Sequence, residues 1–304
     1  MFFRNLTLFR FPDGITTRFK KLDEQLAEHI LRPCGPLELQ TRGWVSPYGR
    51  GEEMFSVEHG NQALLALGGE DKLLPTAIIN QHIAEKVDEL EKQRGRPVGT
   101  RERRKLKDDA LTELLPRALA RPSRLAGYLD IANGWVVVDS SSRKAAEGFI
   151  SALRIALGSF PAVGLEPEES PRALMTEWMI EGKLPAGFAL GDECELKDPS
   201  DNGAIVRCRR QDLGADEMRE HLSSGKQVTQ LALTFEERMR FVLDETLTVR
   251  KFKLLDIAVE QLDKGDRDSA RAELDARFVL MSGEVARLLA AIETTFGVHR
   301  PQSL

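Results

Sequence analysis

The chain has 304 residues, enough for two or three domains with cores of their own, and its apolar and charged shares, 41% and 30%, are those of an ordinary globular protein. Forty-three Lys and Arg against 48 Asp and Glu give a net charge of −5, and no apolar run approaches the length of a membrane span. Cys34, Cys194 and Cys208 form an odd, scattered set, so we expect reduced thiols in a cytosolic protein rather than a disulfide framework.

The N-terminal MFFRNLTLFRFPDG is apolar but broken by Arg4, Asn5 and Arg10, unlike a signal peptide. Residues 2–11 alternate imperfectly, with Leu6 and Leu8 on one face and Phe9 and Phe11 on the other, which suits a strand buried on both sides. Thr17 caps a predicted helix to about Leu31, ended by Pro33-Cys34-Gly35-Pro36. Residues 43–49 read as a loop with two aromatics, and 55–67 as a β-hairpin turning at His59-Gly60-Asn61-Gln62.

Pro75 opens a long helix whose stripe of Ile78, Ile79, His82, Ile83, Val87 and Leu90 keeps a 3.6-residue period up to Gly95. Thr100 is placed as the cap of a second helix through Leu115. Its apolar residues lie in its C-terminal half, while Arg101, Arg103, Arg104, Lys105 and Lys107 cover the N-terminal half, so we expect a projecting two-helix finger with a basic tip. Cations at a helix N-terminus oppose the dipole, and an anionic partner would offset that cost. The whole of residues 92–124 holds eleven basic residues and four acidic ones, so the rest of the chain is strongly acidic. Phosphate backbones are the polyanion such clusters most often bind; a solvated Arg-rich helix is the plain alternative.

Beyond Pro116, Asn133-Gly134 joins two strands, and Ser142 caps a helix stopped by Gly158. Ser170-Pro171 starts another helix to about Glu181. Strands are expected at 187–190, 204–210 and 227–233, with a short helix at 215–222. A hairpin turns at Asp244-Glu245-Thr246, with Lys251 and Lys253 on one strand face. Residues 263–276 read as a solvated helix, 278–281 as a last strand, and Ser282 as the cap of a closing helix to Phe296. Hairpins with intervening helices, and no βαβ alternation, favour an α+β fold.

Catalytic spacings are missing: no P-loop, no G-x-G-x-x-G, no G-x-S-x-G, and no close His or Cys ligand pair. Glu195-Leu196-Lys197 is the second half of a restriction-type nuclease motif, but its partner carboxylate, Asp130 or Asp139, can be nominated only arbitrarily. A solvated strand end explains the same residues. Arg207-Cys208-Arg209-Arg210-Gln211 is a second basic site, a strand end with an amide suited to phosphate contact.

Taken together these pieces resemble the RdgC family of bacterial recombination-associated DNA-binding proteins. The resemblance rests on FRNLTLFR at 3–10, LLPRALAR at 114–121, NGWVVVDSSS at 133–142, LGSFP at 157–161, IVRCRRQDL at 205–213, GKQVTQLAL at 225–233 and FVLMSGE at 278–284, in order along nearly the whole chain. It implies a horseshoe-shaped subunit that dimerises into a ring around duplex DNA, binds without sequence preference and restrains RecA-driven strand exchange. It implies residence in the cytoplasm with the nucleoid, and neither cofactor nor metal. A two-subunit ring needs two self-complementary contacts. The resemblance places one at Arg117 and Leu119, where this chain has Leu119 for a familiar Phe and so loses an aromatic anchor. The other falls at Arg210 and Gln211.

The expected parts are 1–74 in a central α+β region, 75–124 as the helical finger and basic segment, 125–165 as a strand–helix part of the central region, 166–235 as a tip-like α+β domain, and 236–304 packing back on the centre. The expected function is non-enzymatic duplex binding. Arg101, Arg103, Arg104, Lys105 and Lys107 are the finger contacts, Arg117, Arg209, Arg210 and Gln211 lie near the ring closures, and Lys226, Lys251 and Lys253 line the ring. The alternatives are a divalent-metal nuclease using Glu195 and Lys197, or a module that binds an acidic protein.

Overall fold

A computed structural model of the chain describes residues 2–200, 203–259 and 269–302. Its contacts divide it into two compact units, the first made of residues 1–28, 46–66 and 125–304 and the second of 29–45 and 67–124. In chain order the elements are β1 (Thr7–Arg10), a 3-10 turn (Thr16–Lys21), α1 (Leu22–Ala27), β2 (Gln40–Val45), β3 (Ser56–His59), β4 (Gln62–Lys72), α2 (Thr76–Arg94), α3 (Thr100–Leu114), a 3-10 turn (Leu115–Arg117), β5 (Ala120–Asp130), β6 (Trp135–Val138), α4 (Arg143–Ala156), β7 (Val163–Gly164), α5 (Pro171–Glu181), β8 (Phe188–Lys197), β9 (Ile205–Arg209), α6 (Asp216–Ser223), β10 (Gln227–Phe235), β11 (Met239–Asp244), β12 (Val249–Leu254), α7 (Asp256–Val259) and α8 (Ala270–Phe296). The fold is α+β, built of antiparallel hairpins with intervening helices.

In the first unit β1 lies between β6 and β7, and residues 127–130 of β5 flank β6. All four residues of β1 are buried, as the double-faced alternation demands. The second sheet of this unit runs β12-β11-β10-β8-β9. A pair of backbone bonds between Leu6 and Val249 (2.7 and 2.9 Å) ties the segment before β1 to β12. Over these sheets packs α8, which buries Phe278, Met281, Val285, Leu288, Leu289, Ile292 and Phe296. Each such side chain contributes about 1.5–3 kcal/mol by leaving water. Trp178 and Tyr128 meet α8 through Phe296 and Phe278, with ring centroids 5.7 and 5.6 Å apart. Arg238 donates to Glu284 on the buried side of the same helix (2.7 and 2.5 Å), so the interior charge is paired.

Three local expectations give way. Residues 278–281 are not a strand: Ser269 caps α8, its hydroxyl accepting the Ala272 N–H at 3.2 Å, and the helix runs unbroken through Ser282 and Gly283. Four apolar residues in a row fit a buried helix as well as a strand, and the Ser282 hydroxyl turns back on the Val279 carbonyl instead of capping. The predicted helix at 263–276 is helical from Ala270 onward, and 263–268 lie outside the described residues. The helix predicted from Thr17 to Leu31 is a 3-10 turn followed by α1, which ends at Ala27.

In the second unit β2, the end of β4 and the start of β5 lie side by side in that order. Gly43-Trp44-Val45, read as loop, is strand: Trp44 donates to the His29 carbonyl and Leu31 to the Trp44 carbonyl, at 2.8 and 3.0 Å. Glycine is needed there, because a Cβ at Gly43 would come within 2.4 Å of the Leu31 backbone. α2 and α3 form a helical hairpin. Gly95 ends α2 at φ 63°, and Gly99, not Thr100, is the N-cap of α3. The Glu102 carboxylate accepts the Gly99 N–H at 3.2 Å, the half of a capping box that needs no N-cap side chain.

Candidate nucleic-acid interface

Alternation in β10, β11 and β12, broken at one bulge, sends Leu231, Leu233, Met239, Phe241, Leu243, Phe252 and Leu254 into the core and leaves Arg240, Lys251 and Lys253 exposed on the outer face. That face holds Arg240 opposite Lys253 and Val242 opposite Arg250. Arg240 and Lys253 are exposed, and neither has an ion-pair partner among the described residues. Like charges directly opposite on antiparallel strands repel, so this pair costs the fold stability.

A groove of about 870 Å³ runs over this face and gathers Arg210, Gln211, Arg240, Lys251 and Lys253, with Asp192, Glu193 and Asp212 among its walls. Lys251 pairs with Glu193 at 2.5 Å, Arg250 with Asp244 at 2.9 Å and Arg207 with Glu195 at 2.6 Å. Gln211 donates its side-chain amide to Glu217 at 2.7 Å and its backbone N–H to the Asp192 carbonyl at 3.1 Å. Arg209 and Arg210 are exposed without such partners among the described residues.

Two of the groove's cations sit on left-handed backbone, Arg210 at φ 55° and Lys251 at φ 52°. Lys251 belongs to a bulge: the β11–β12 register shifts between Arg240 and Val242, where glycine is the usual occupant. A non-glycine residue there costs about 1–2 kcal/mol. At both positions the chain carries that cost and places a long cation at the groove.

The second cationic surface is the helical hairpin. Arg94 and Arg96 are engaged at its turn, donating to Glu102 at 2.9 Å, and Glu91 accepts the Val98 N–H at 2.8 Å. The Arg96 guanidinium, with the Gly99 N–H, holds the Glu102 carboxyl below its usual range. At the other end Glu113 takes His82 at 2.9 Å and Lys86. Arg101, Arg103, Arg104, Lys105 and Lys107 are all exposed and form no ion pair among the described residues. Ala110 is the buried anchor of α3.

The remaining sites fall elsewhere. Arg117 is exposed at the 3-10 turn, and Leu119 stands 77% exposed beside it. The Leu119 carbonyl accepts the Leu73 N–H at 2.8 Å, and Leu37, Leu39 and Leu73 are likewise exposed in this unit. Residues 120–124 of β5 are exposed throughout. Lys226 lies at the start of β10, bonded to Ser224 at 3.0 Å, whereas the groove touches the strand at Ala232, Leu233 and Thr234. Arg240 escaped the sequence reading, although its place between Met239 and Phe241 marks it as outward-facing.

The carboxylates nominated for a nuclease are each engaged by neighbouring groups. Glu195 also accepts from Thr229, at 3.2 Å, Asp139 takes the Arg4 and Asn5 N–H groups at 2.9 and 3.0 Å, and Asp130 takes Asn133. No group of three His, Cys, Asp or Glu residues suited to a metal occurs among the described residues. No described helix is long and apolar enough to cross a membrane.

Residues 1–299 match the family model described as "Putative exonuclease, RdgC". The chain is 49% identical over 301 residues to the "Recombination-associated protein RdgC" of Stenotrophomonas maltophilia (strain R551-3), covering 99% of each chain. It is 48% identical over 303 residues to the protein of that name from Xanthomonas axonopodis pv. citri (strain 306), covering 99% of this chain and 100% of the relative. With that of Xanthomonas campestris pv. campestris (strain B100) it shares 47% identity over 304 residues, the full length of both.

Proposed function

The chain belongs to the RdgC family of recombination-associated proteins, and we propose on that footing that it is a sequence-independent duplex-DNA binder that encircles its substrate as a ring dimer and restrains RecA-driven strand exchange. The observation that carries the proposal is the exposed, unpaired Arg240–Lys253 pair over the groove, a repulsion that a phosphate backbone relieves. The five exposed cations of α3 add a second surface suited to phosphate. All of these groups suit phosphate contact, which positions a duplex without reading bases.

The ring has two contacts in this proposal. One uses Leu119 and Arg117 beside the exposed residues 120–124, where apolar side chains and open strand backbone can meet a second copy. The other uses Arg210 and Gln211. The proposal takes binding to be non-enzymatic, supported by the pairing of Glu195 with Arg207 and Thr229 and of Glu193 with Lys251.

The test measures duplex binding against salt with EDTA present, on linear DNA and on closed circles. We expect affinity to fall steeply with salt and to ignore sequence, with complexes on circles outlasting those on linear ends. Absence of binding at low salt overturns the DNA reading. The exonuclease reading, favoured by the family model's description, requires divalent-dependent cutting that disappears in Glu195→Ala.

A further inference from the structure

Cys194 and Cys208, unremarkable in the sequence, stand directly opposite each other in the β8–β9 ladder. Both lie on its apolar side: Cys194 is buried in the core cluster and Cys208 packs against that cluster. In the same ladder Asp198 donates to the Ala204 carbonyl at 3.1 Å. Stepping two residues at a time from that pair makes Cys194 and Cys208 a hydrogen-bonded pair, for which Cα atoms stand about 5.5 Å apart. That separation is within the span of a disulfide. Cys34 belongs to the other unit, where its thiol donates to the Glu38 carbonyl at 3.2 Å.

We propose that Cys194 and Cys208 are a reversible oxidation site, converted by a peroxide-class oxidant into an intrachain disulfide that staples β9 to β8. Burial pushes the Cys194 thiol up to about 12, so it stays protonated at neutral pH, and the partly exposed Cys208 meets the oxidant first. The Cys208 thiolate attacks one peroxide oxygen, the O–O bond breaks, and the departing hydroxide takes up a proton as water, leaving a sulfenic acid. The Cys194 sulfur then attacks the sulfenic sulfur, the S–O bond breaks, and the thiol proton leaves with the hydroxyl as a second water. Two thiols and one hydrogen peroxide thus give one disulfide and two waters.

The staple acts on an edge. Among the described strands β9 pairs with β8 alone, and it carries Arg209 and leads into Arg210 of the groove. Because the thiols occupy the apolar side, oxidation leaves the outer cations in place and restrains the strand that bears them. The bond itself does not depend on the DNA reading.

The experiment treats the full chain with equimolar hydrogen peroxide, quenches in acid, and maps thiols by alkylation and peptide mass without reductant. Hydrogen exchange is followed over residues 205–209. The expected result is one crosslink between the peptides of Cys194 and Cys208, reversed by dithiothreitol, with Cys34 still alkylated and β9 exchange slowed roughly tenfold or more. Cys208→Ser, at the partly exposed position, should fold and show neither effect. Oxidation that stops on Cys208 with Cys194 still alkylated, or a bridge to Cys34 or to a second chain, overturns the proposal.

Discussion

The helical hairpin draws its five free cations from seven consecutive positions of α3, 101–107, whereas the sheet face collects Arg209, Arg210, Arg240, Lys251 and Lys253 from three separate stretches of chain. On the helix the cations ride long stems around an exposed cylinder, and little but their number is specified. On the sheet, register and bulge decide where each one stands, and Glu193 holds Lys251 in place. A dense array of this kind supplies attraction from a distance; an indexed one supplies a seat. In the proposed duplex binding the first surface would supply affinity and the second orientation.

Breaking the sheet's arrangement should have the largest effect. Arg240→Glu turns a like-charged cross-strand pair into an opposite-charged one facing Lys253. Thermal unfolding should rise by the equivalent of about 0.2–1 kcal/mol, while duplex affinity falls by at least about tenfold. Affinity that fell together with stability would mean that the pair serves the fold alone. On the hairpin, Arg103→Ala with Arg104→Ala should weaken all duplexes alike and flatten the log–log salt slope by about 2. An effect confined to one sequence would show base contact there.

A smaller effect separates strain from charge. Lys251→Gly removes the left-handed penalty at φ 52° and should stabilise the protein by roughly 1 kcal/mol. Duplex binding should weaken only severalfold, because Lys251 already shares its charge with Glu193. The smallest effect belongs to the hairpin turn. Arg96 and the Gly99 N–H hold Glu102 below its usual range, so its stabilisation is complete above the unfolded carboxylate value and is lost as pH falls through the lower, folded one. Protection of the Gly99 amide should therefore be lost as pH falls below the ordinary carboxylate value of about 4.3.

Periodicity and caps made much of the fold legible. The stripe of α2 ending at Gly95, the Asn133-Gly134 hairpin, and the Ser142 and Ser170 caps, whose hydroxyls accept at 3.3 and 3.4 Å, are all local signals. β2 was illegible because its strand character comes from pairing with β4 and from the chain near His29 and Leu31, both distant from it in local pattern. The start of α8 was obscured by β-prone Phe278 and Val279 followed by a Ser-Gly pair that imitates a cap. Basic clusters showed as runs, so the five α3 cations were visible at once. Arg240 stands alone in its stretch, and only the β11–β12 register, invisible to composition, sets it beside Lys253. The thiol pair was hidden for the same reason.

The pairing of β1 with β6 and β7 has a consequence for biogenesis. The first ten residues find their partners only at 135–138 and 163–164, and Leu6 waits for Val249. At ordinary synthesis speeds that leaves the N-terminal strand without its neighbours for roughly ten to thirty seconds on the ribosome. During that interval Phe3, Leu8 and Phe9, all buried in the finished protein, are presented to the cytosol. The nascent chain thus carries these side chains uncovered until residues 135–138 have been made.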